Sequence, residues 1–280
     1  MTKISIVIPT FNEIDVIDDC IASLGFQSRT DFEIIAVDDG STDGTLTILN
    51  NLATTLPNFK VFKENHLGAG AARNLGVKNA DGKILVFVDA DMTFDKDFIK
   101  DLVAPIEQGQ IKGTFSKNEM VGNWGNIWSR CWNLQEGWEA KRRHPKNYPD
   151  SQPVFRAILK SEFEKVGGFT PGGYDDDWSL SKKLGYMAIG VPGAIFYHKN
   201  PETLWEIYNH AKWVGKRKYK FGGFGYLAAL VRASLPISLA VGLYKSFRSS
   251  LPAFILFKIV YDIGIFIGIL EFLLSRKSSK

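Results

Sequence analysis

The sequence predicts an α/β fold: a mostly parallel sheet flanked by helices, followed by a C-terminal hydrophobic helical hairpin. Three observations predict it. Short continuous apolar runs, rich in Val and Ile, recur at 4–8, 32–37 and 84–88, the pattern of strands buried on both faces. Between them, apolar residues recur at helical spacing. Strands and helices therefore alternate, as parallel strands joined by right-handed crossovers require. Beyond residue 220 two long stretches turn strongly apolar.

Ile4–Ile8 form the first strand, halted at Pro9 and followed by the polar turn Thr10-Phe11-Asn12-Glu13. Ile14, Ile17, Ile21 and Leu24 continue as an amphipathic helix, with Cys20 on its core stripe. The second strand, Phe32–Val37, ends in Asp38-Asp39-Gly40-Ser41-Thr42-Asp43-Gly44-Thr45. That loop combines acids, glycines and capping residues ahead of the helix marked by Leu46, Ile48, Leu49 and Leu52. Val61 and Phe62 mark a short third strand, and the small residues of Gly68–Gly76 open a helix able to pack closely.

The stretch Ile84–Met92 ends in two carboxylates, Asp89 and Asp91. On an extended backbone both would point to the same side. Carboxylates so placed repel, and a hard divalent cation bridging to phosphate oxygens is their natural partner. A polar loop ending a strand is the plain alternative for so short a motif. Yet Pro9-Thr10, Asp38-Asp39 and the Asp89/Asp91 pair all fall at strand carboxyl ends, where open α/β sheets bind ligands. Three such turns on one edge point to a nucleotide site.

From Gly113 to Pro153 the pattern loosens. Trp124, Trp128 and Trp132 share a helical face, with Trp138 and the basic Arg130 and Lys141–Arg143 nearby; they pack a core or form a platform for sugar or lipid. Val154–Leu159 resumes a strand, Ser161–Glu164 reads as a capping box and Gly167-Gly168 as its helix stop. Asp175, Asp176 and Asp177 then open a further helix after a Gly-Gly turn. Three acids exceed what a helix N-terminus needs, and their repulsion can raise one toward a general base. Ile195–His198 reads as a last short strand whose histidine is structural or a metal ligand, and Thr203–Lys218 as a helix.

In the tail, 226–244 carries one charge, Arg232, and 251–274 carries Lys258, Asp262 and Glu271. Either reaches the roughly 20 residues a membrane span needs, but their charges are costly at mid-bilayer. Lys245 and Arg248 in the connecting loop conflict with a two-span hairpin under the positive-inside rule. Interfacial helices avoid the conflict, and a soluble hairpin is the remaining alternative. Lys258 and Asp262 can pair at i,i+4, and Gly264 with Gly268 offers a small-residue face for helix contact. The net charge of +4 is too small to argue for nucleic acid, and two cysteines without metal or redox spacing suit a reducing compartment. No signal peptide precedes the first strand. The expected location is the cytoplasmic face of the cell membrane.

Taken in order, these motifs resemble the family 2 glycosyltransferases, nucleotide-sugar enzymes of the Rossmann-like GT-A fold. The resemblance rests on Val7-Ile-Pro-Thr-Phe-Asn-Glu13, Val37-Asp-Asp-Gly-Ser-Thr-Asp-Gly-Thr45, Gly70-Ala-Ala-Arg-Asn-Leu-Gly76, Val88-Asp-Ala-Asp91, Phe155–Phe169 and the Asp175 cluster. It implies a catalytic domain over 1–220, with a nucleotide-binding half to about 112 and an acceptor half over 113–220. Residues 221–280 would form a membrane-associated tail.

By that resemblance, Pro9, Thr10 and Glu13 border the nucleotide. Asp39 bonds the base, expected to be uracil, with Asp38 in support, and Arg73 contacts the base or diphosphate. Asp89 faces the ribose or sugar, and Asp91 holds Mg²⁺ or Mn²⁺, with Asp89 and His198 as further metal candidates. Asp175 is the catalytic base and Asp176 the fallback, since Tyr174 replaces the family's usual glutamate. The implied activity is inverting, metal-dependent transfer of one sugar from a UDP-sugar to a hydroxyl. The acceptor would be a lipid-linked or cell-surface polysaccharide or glycolipid precursor. A non-catalytic nucleotide-sugar-binding scaffold and a nucleotidyltransferase on a similar sheet are the alternatives.

Overall fold

The structure is a computed structural model that describes residues 3–171 and 176–275. In chain order the first elements are β1 (Ile4–Thr10), α1 (Ile17–Gly25), β2 (Phe32–Asp38), α2 (Thr45–Thr55) and β3 (Phe59–Lys63). Then come α3 (Ala69–Lys78), β4 (Ile84–Phe87), β5 (Met92–Phe94), α4 (Phe98–Glu107), β6 (Gly113–Val121) and α5 (Ile127–Glu136). They are followed by β7 (Ser151–Gln152), β8 (Ala157–Leu159), α6 (Lys160–Lys165), α7 (Asp176–Leu184) and β9 (Ala188–His198). Four helices close the chain: α8 (Leu204–Gly215), α9 (Gly222–Arg232), α10 (Leu235–Ser249) and α11 (Phe254–Ser275).

The strands form one sheet of order β3-β2-β1-β4-β8-β6-β9-β5, with β7 paired to β9. β1, β2, β3 and β4 run parallel, with Ile4 opposite both Phe32 and Ile84. β8 then pairs antiparallel with β4 and β6, and β5 and β7 antiparallel with β9. The α/β architecture with its parallel nucleus is thus the one the sequence predicts. Apolar side chains cover both faces of that nucleus. Ile4, Ile6, Ile8 and Val86 pack toward α1 and α4, and Val7, Ile35, Leu85 and Phe87 pack toward α3. The small face of α3 lets it lie close: a Cβ at Gly76 would stand 2.4 Å from Val7 Cγ1.

The chain divides into two compact units, Met1–Met120 with Asn147–His198, and Val121–Lys146 with Lys199–Lys280. The division differs from the boundary expected near 220, because α5 and α8 pack with α11. Trp132 and Ile207 share a buried cluster with Phe254 and Phe257. Trp132 is core, and Trp128 and Trp138 lean on the same cluster. In the second unit α11 lies against α8 through Gly264 and Gly268, where a Cβ would meet Tyr208 O at 2.6 Å and Lys212 O at 2.1 Å. The expected Lys258–Asp262 pair forms at 2.7 Å, and Ser238 of α10 donates to the other Asp262 oxygen at 2.5 Å.

Three local expectations are corrected. The strand expected over 84–88 ends at Phe87, and Asp89 and Asp91 sit on the connection before β5 rather than on extended backbone. The Ser161–Glu164 capping box does not form: α6 starts at Lys160 after Leu159, with no side-chain cap, although Gly167 and Gly168 do end it with φ of +70° and +71°. The short strand expected at 195–198 is the end of β9, 11 residues long.

Candidate active site

The carboxyl ends of β1, β2 and β4 converge with the end of β9 on one cleft of about 260 Å³ within the first unit. It is lined by Pro9, Thr10, Phe11, Glu13, Asp39, Ala69, Asp89, Ala90, Asp91 and His198. The loops around it are tied by the polar residues of the β2–α2 connection. Asn12 N–H donates to Ser41 Oγ at 2.9 Å, Glu13 N–H to Thr45 Oγ1 at 2.8 Å and Ile14 N–H to Asp43 Oδ2 at 3.1 Å. Asn12 Oδ1 in turn accepts from Thr42 N–H at 2.8 Å. This lacing holds Glu13 at the cleft wall. It also needs Gly44 with φ +104°, where a Cβ would press on Ile14 Cδ1 at 3.1 Å.

Asp38 lies fully buried beneath the cleft and accepts from Ser41 N–H at 3.2 Å. Asp39 lines the cleft, and its two carboxylate oxygens accept from Leu67 N–H at 2.6 Å and Gly68 N–H at 2.9 Å. It thereby pins the entry to α3. Phe11 and His66 stack at 4.1 Å beside it.

The two aspartates of the β4–β5 turn have separate partners. Asp89 Oδ1 accepts from Arg73 Nη2 at 2.7 Å, and Oδ2 from Arg156 Nη1 at 3.0 Å. Burial would push the Asp89 carboxyl up, but the charges of Arg156 and Arg73 override it and hold it well below the usual carboxylate range. The family resemblance assigns Arg73 to the nucleotide; the structure places its buried guanidinium against Asp89. Arg156 had no assigned role. Its signal was chemical: a carboxylate at a buried strand end requires cationic partners.

Asp91 faces His198 instead, with Nε2 at 2.6 Å from Asp91 Oδ2. His198 Nδ1 lies 3.2 Å from Glu119 Oε1 on β6, a residue the sequence reading missed because β6 itself was not recognised. Carboxylates thus face both imidazole nitrogens: Glu119 orients the ring, and Asp91 shares the cleft side with Nε2. Burial, then the charges of Asp91, Asp89 and Asp43, pushes the Glu13 carboxyl up to about 7, with His198 acting in the opposite sense.

Among the described residues no cluster of three or more His, Cys, Asp or Glu could by itself hold a metal ion. The donor set nevertheless fits a hard divalent cation, which is usually held by one or two carboxylates and completed by substrate phosphates. Asp91 is 42 % exposed and adjoins an imidazole nitrogen. Asp175 lies outside the described residues. Asp176 opens α7.

A parallel α/β nucleus with its acidic turns gathered at the strand carboxyl ends is the arrangement in which open α/β sheets bind their ligands. The model of the family described as Glycosyl transferase family 2 matches residues 5–167. The chain belongs to this family and has its GT-A fold. It is 42 % identical over 99 residues to an uncharacterized glycosyltransferase of Rickettsia conorii, 35 % of this chain and 16 % of that protein. It is 38 % identical over 112 residues to the poly(ribitol-phosphate) beta-N-acetylglucosaminyltransferase TarS of Staphylococcus aureus, 39 % of this chain and 19 % of TarS. The matches thus span less than a fifth of those relatives' lengths.

In fold, the chain is similar to TarS 1–349 in complex with UDP-GlcNAc. The TM-score is 0.58 at 18 % identity, covering 98 % of this chain and 92 % of that one. It is also similar to the mannosyltransferase PcManGT of Pyrobaculum calidifontis in complex with GDP-Man and Mn²⁺. Here the TM-score is 0.59 at 19 % identity, covering 94 % and 87 %.

Proposed function

We propose that this chain transfers a single sugar from a nucleoside-diphosphate sugar, a UDP-sugar, to a hydroxyl acceptor with inversion. The acceptor is a lipid-linked or cell-surface polysaccharide or glycolipid precursor at the cytoplasmic face of the cell membrane. The observation that carries the reading is the single cleft in which Thr10, Glu13 and Asp39 stand with Asp91 and His198. Family membership supports the reaction class, and TarS, a relative named for sugar transfer to poly(ribitol phosphate), supports a polymeric acceptor.

In this reading Thr10 and Asp39 border the base and ribose, and Pro9 shapes the wall between them. Asp91 and His198 hold Mg²⁺ or Mn²⁺, which when bound supplies Lewis-acid stabilisation to the departing nucleoside diphosphate. Asp89, already bonded to Arg73 and Arg156, acts as the fixed floor of the cleft, so the metal reading narrows to the other two. Glu119 keeps the His198 ring oriented. Asp175, with Asp176 as fallback, removes the acceptor hydroxyl's proton as that oxygen attacks the anomeric carbon. The acceptor oxygen is the nucleophile and the nucleoside diphosphate the leaving group, so no nucleophile from the protein and no covalent intermediate are needed.

The test is turnover of a UDP-sugar panel, read as UDP released and sugar transferred. Asp175→Asn is expected to abolish transfer while UDP binding persists. Undiminished transfer by Asp175→Asn overturns the base assignment, and no turnover of any donor by the wild type overturns the reading.

A further inference from the structure

The tail helices are built inside out for a water-exposed bundle. The buried residues of α10 are Ser238, Gly242 and Ser246, whereas Leu235, Leu239, Leu243 and Phe247 form an unbroken outward stripe at four-residue spacing. Phe247 is 90 % exposed. α11 shares the inversion in part. Lys258, Asp262, Gly264 and Gly268 face inward together with the core residues Phe254, Phe257 and Ile269, while Leu256, Ile263, Phe266 and Leu270 face outward. α9 buries none of its residues and exposes Phe224, Leu227 and Val231. A surface helix in water turns its polar face outward. Small and paired polar residues within, apolar residues without, is the arrangement helices adopt when hydrocarbon surrounds them.

The charges around these stripes are one-sided. Residues 216–275 contain eight Lys or Arg against Asp262 and Glu271. Asp262 is bonded to Lys258, and Glu271 to Lys212 and Lys216. Both acids are therefore neutralised. Exposed Lys220, Arg232 and Arg248 stand directly beside Phe221, Val231 and Phe247 at the ends of the apolar stripes. Cations bordering an embedded apolar face complement anionic headgroups.

Length and charge set the depth: the 22 residues of α11 rise about 33 Å, but they carry Lys258, Asp262 and Glu271, which are costly at mid-bilayer. No single described helix is long and apolar enough to cross a membrane, and α9 with α10 qualifies only as a pair bent by 59°. The 15 residues of α10 rise about 22 Å at 1.5 Å per residue, short of a hydrocarbon core of about 30 Å.

We propose that α9, α10 and α11 seat this chain in one leaflet of an anionic bilayer, the α10 stripe among the acyl chains and the flanking cations at the headgroups. This inference is independent of the transferase reading. The experiment is flotation of the full chain with vesicles of phosphatidylcholine alone or mixed with phosphatidylglycerol. Wild type is expected to float with the mixed vesicles and at least tenfold less with phosphatidylcholine alone. Leu239→Glu with Leu243→Glu is expected to lower flotation at least tenfold, while an unchanged circular dichroism spectrum and thermal midpoint in detergent report that the fold is intact. Equal flotation of that variant overturns the proposal. So does a wild type that ignores both vesicles and forms a discrete dimer lost in the variant, which would make the stripe an interface between copies. Equal flotation on both lipids overturns the anionic preference. Ser250→Cys, in the α10–α11 turn, is expected to react with an impermeant maleimide added outside the vesicles; protection there overturns the one-leaflet seat.

Discussion

Arg156→Met isolates the clamp on Asp89. The carboxylate accepts one hydrogen bond each from Arg73 and Arg156, at 2.7 and 3.0 Å. The side chains of these arginines are 5 % and 17 % exposed and that of Asp89 31 %. A hydrogen bond to a charged group contributes about 1.5–3 kcal/mol net. Methionine keeps the aliphatic packing and a contact with the Phe196 ring, over which the guanidinium lies at 5.5 Å. Because Arg73 remains and water reaches Asp89, the expected loss falls near the lower end, about 2 kcal/mol.

A local readout is available: Phe87 N–H donates to Arg156 O at 2.8 Å in the β4–β8 pairing. Hydrogen exchange at Phe87 and its β4 neighbours should accelerate by roughly 30-fold, the equivalent of about 2 kcal/mol. The pH dependence follows in sign. A carboxylate depressed in the folded state stabilises above its unfolded pKa of about 3.9 and loses that contribution as pH falls through the folded value. Arg156→Met lets the folded value rise, so the acid-unfolding midpoint should move upward. Asp89→Asn added to Arg156→Met leaves the buried Arg73 without its carboxylate and should add to the loss. Unchanged exchange in Arg156→Met, or a double variant no less stable than Arg156→Met, refutes the clamp.

Glu13, raised to about 7, is neutral below that pH and ionised above it. In metal-free buffer, affinity for a UDP-sugar should fall as pH rises from about 6 to 8 through repulsion of the diphosphate, and Glu13→Gln should flatten the profile. Calorimetric titrations with parallel slopes in both proteins would contradict this. Glu119→Gln weakens the acceptor on His198 Nδ1 and should lower Mn²⁺ affinity in the presence of UDP by about tenfold. Electron paramagnetic resonance of the free ion measures it, and wild-type affinity would remove Glu119 from the site. A Cβ at Gly82 would stand 2.5 Å from Ser5 N and 2.7 Å from Ile4 C, backbone that cannot move aside cheaply. Gly82→Ala should therefore cost at least about 2 kcal/mol, visible as a lowered thermal midpoint; an unshifted midpoint contradicts the packing.

The half of the fold that was legible in the sequence is the half buried on both faces. β1, β2 and β4 lie between helices and carry continuous apolar runs, so length and composition suffice to find them. β6 and β9 were missed or shortened because only part of each is covered. Lys117, Asn118 and Glu119 occupy the half-buried end of β6, and Gly190, Pro192 and Gly193 interrupt β9. The turn residues announced the site's location, since Pro9, Thr10, Asp39, Asp89 and Asp91 all reach one cleft. Their pairings were not legible. Alternation suggested that Asp89 and Asp91 act together, but the strand ends at Phe87 and the turn sends one to arginines and the other to His198. Arg156 and Glu119 lie 67 and 79 positions from the residues they hold, beyond the reach of any local pattern. In the tail, hydropathy was plain, whereas the inward placement of Ser238, Lys258 and Asp262 emerged only from the packing.

The central claim is that this cleft binds a nucleoside diphosphate through a metal at Asp91, and calorimetric titration of UDP into the detergent-solubilised full chain, with and without Mn²⁺, tests it most directly. Wild type should bind UDP at least tenfold more tightly with Mn²⁺, and Asp91→Ala should bind it equally weakly in both buffers. Absence of UDP binding by the wild type, or an undiminished Mn²⁺ effect in Asp91→Ala, would contradict it.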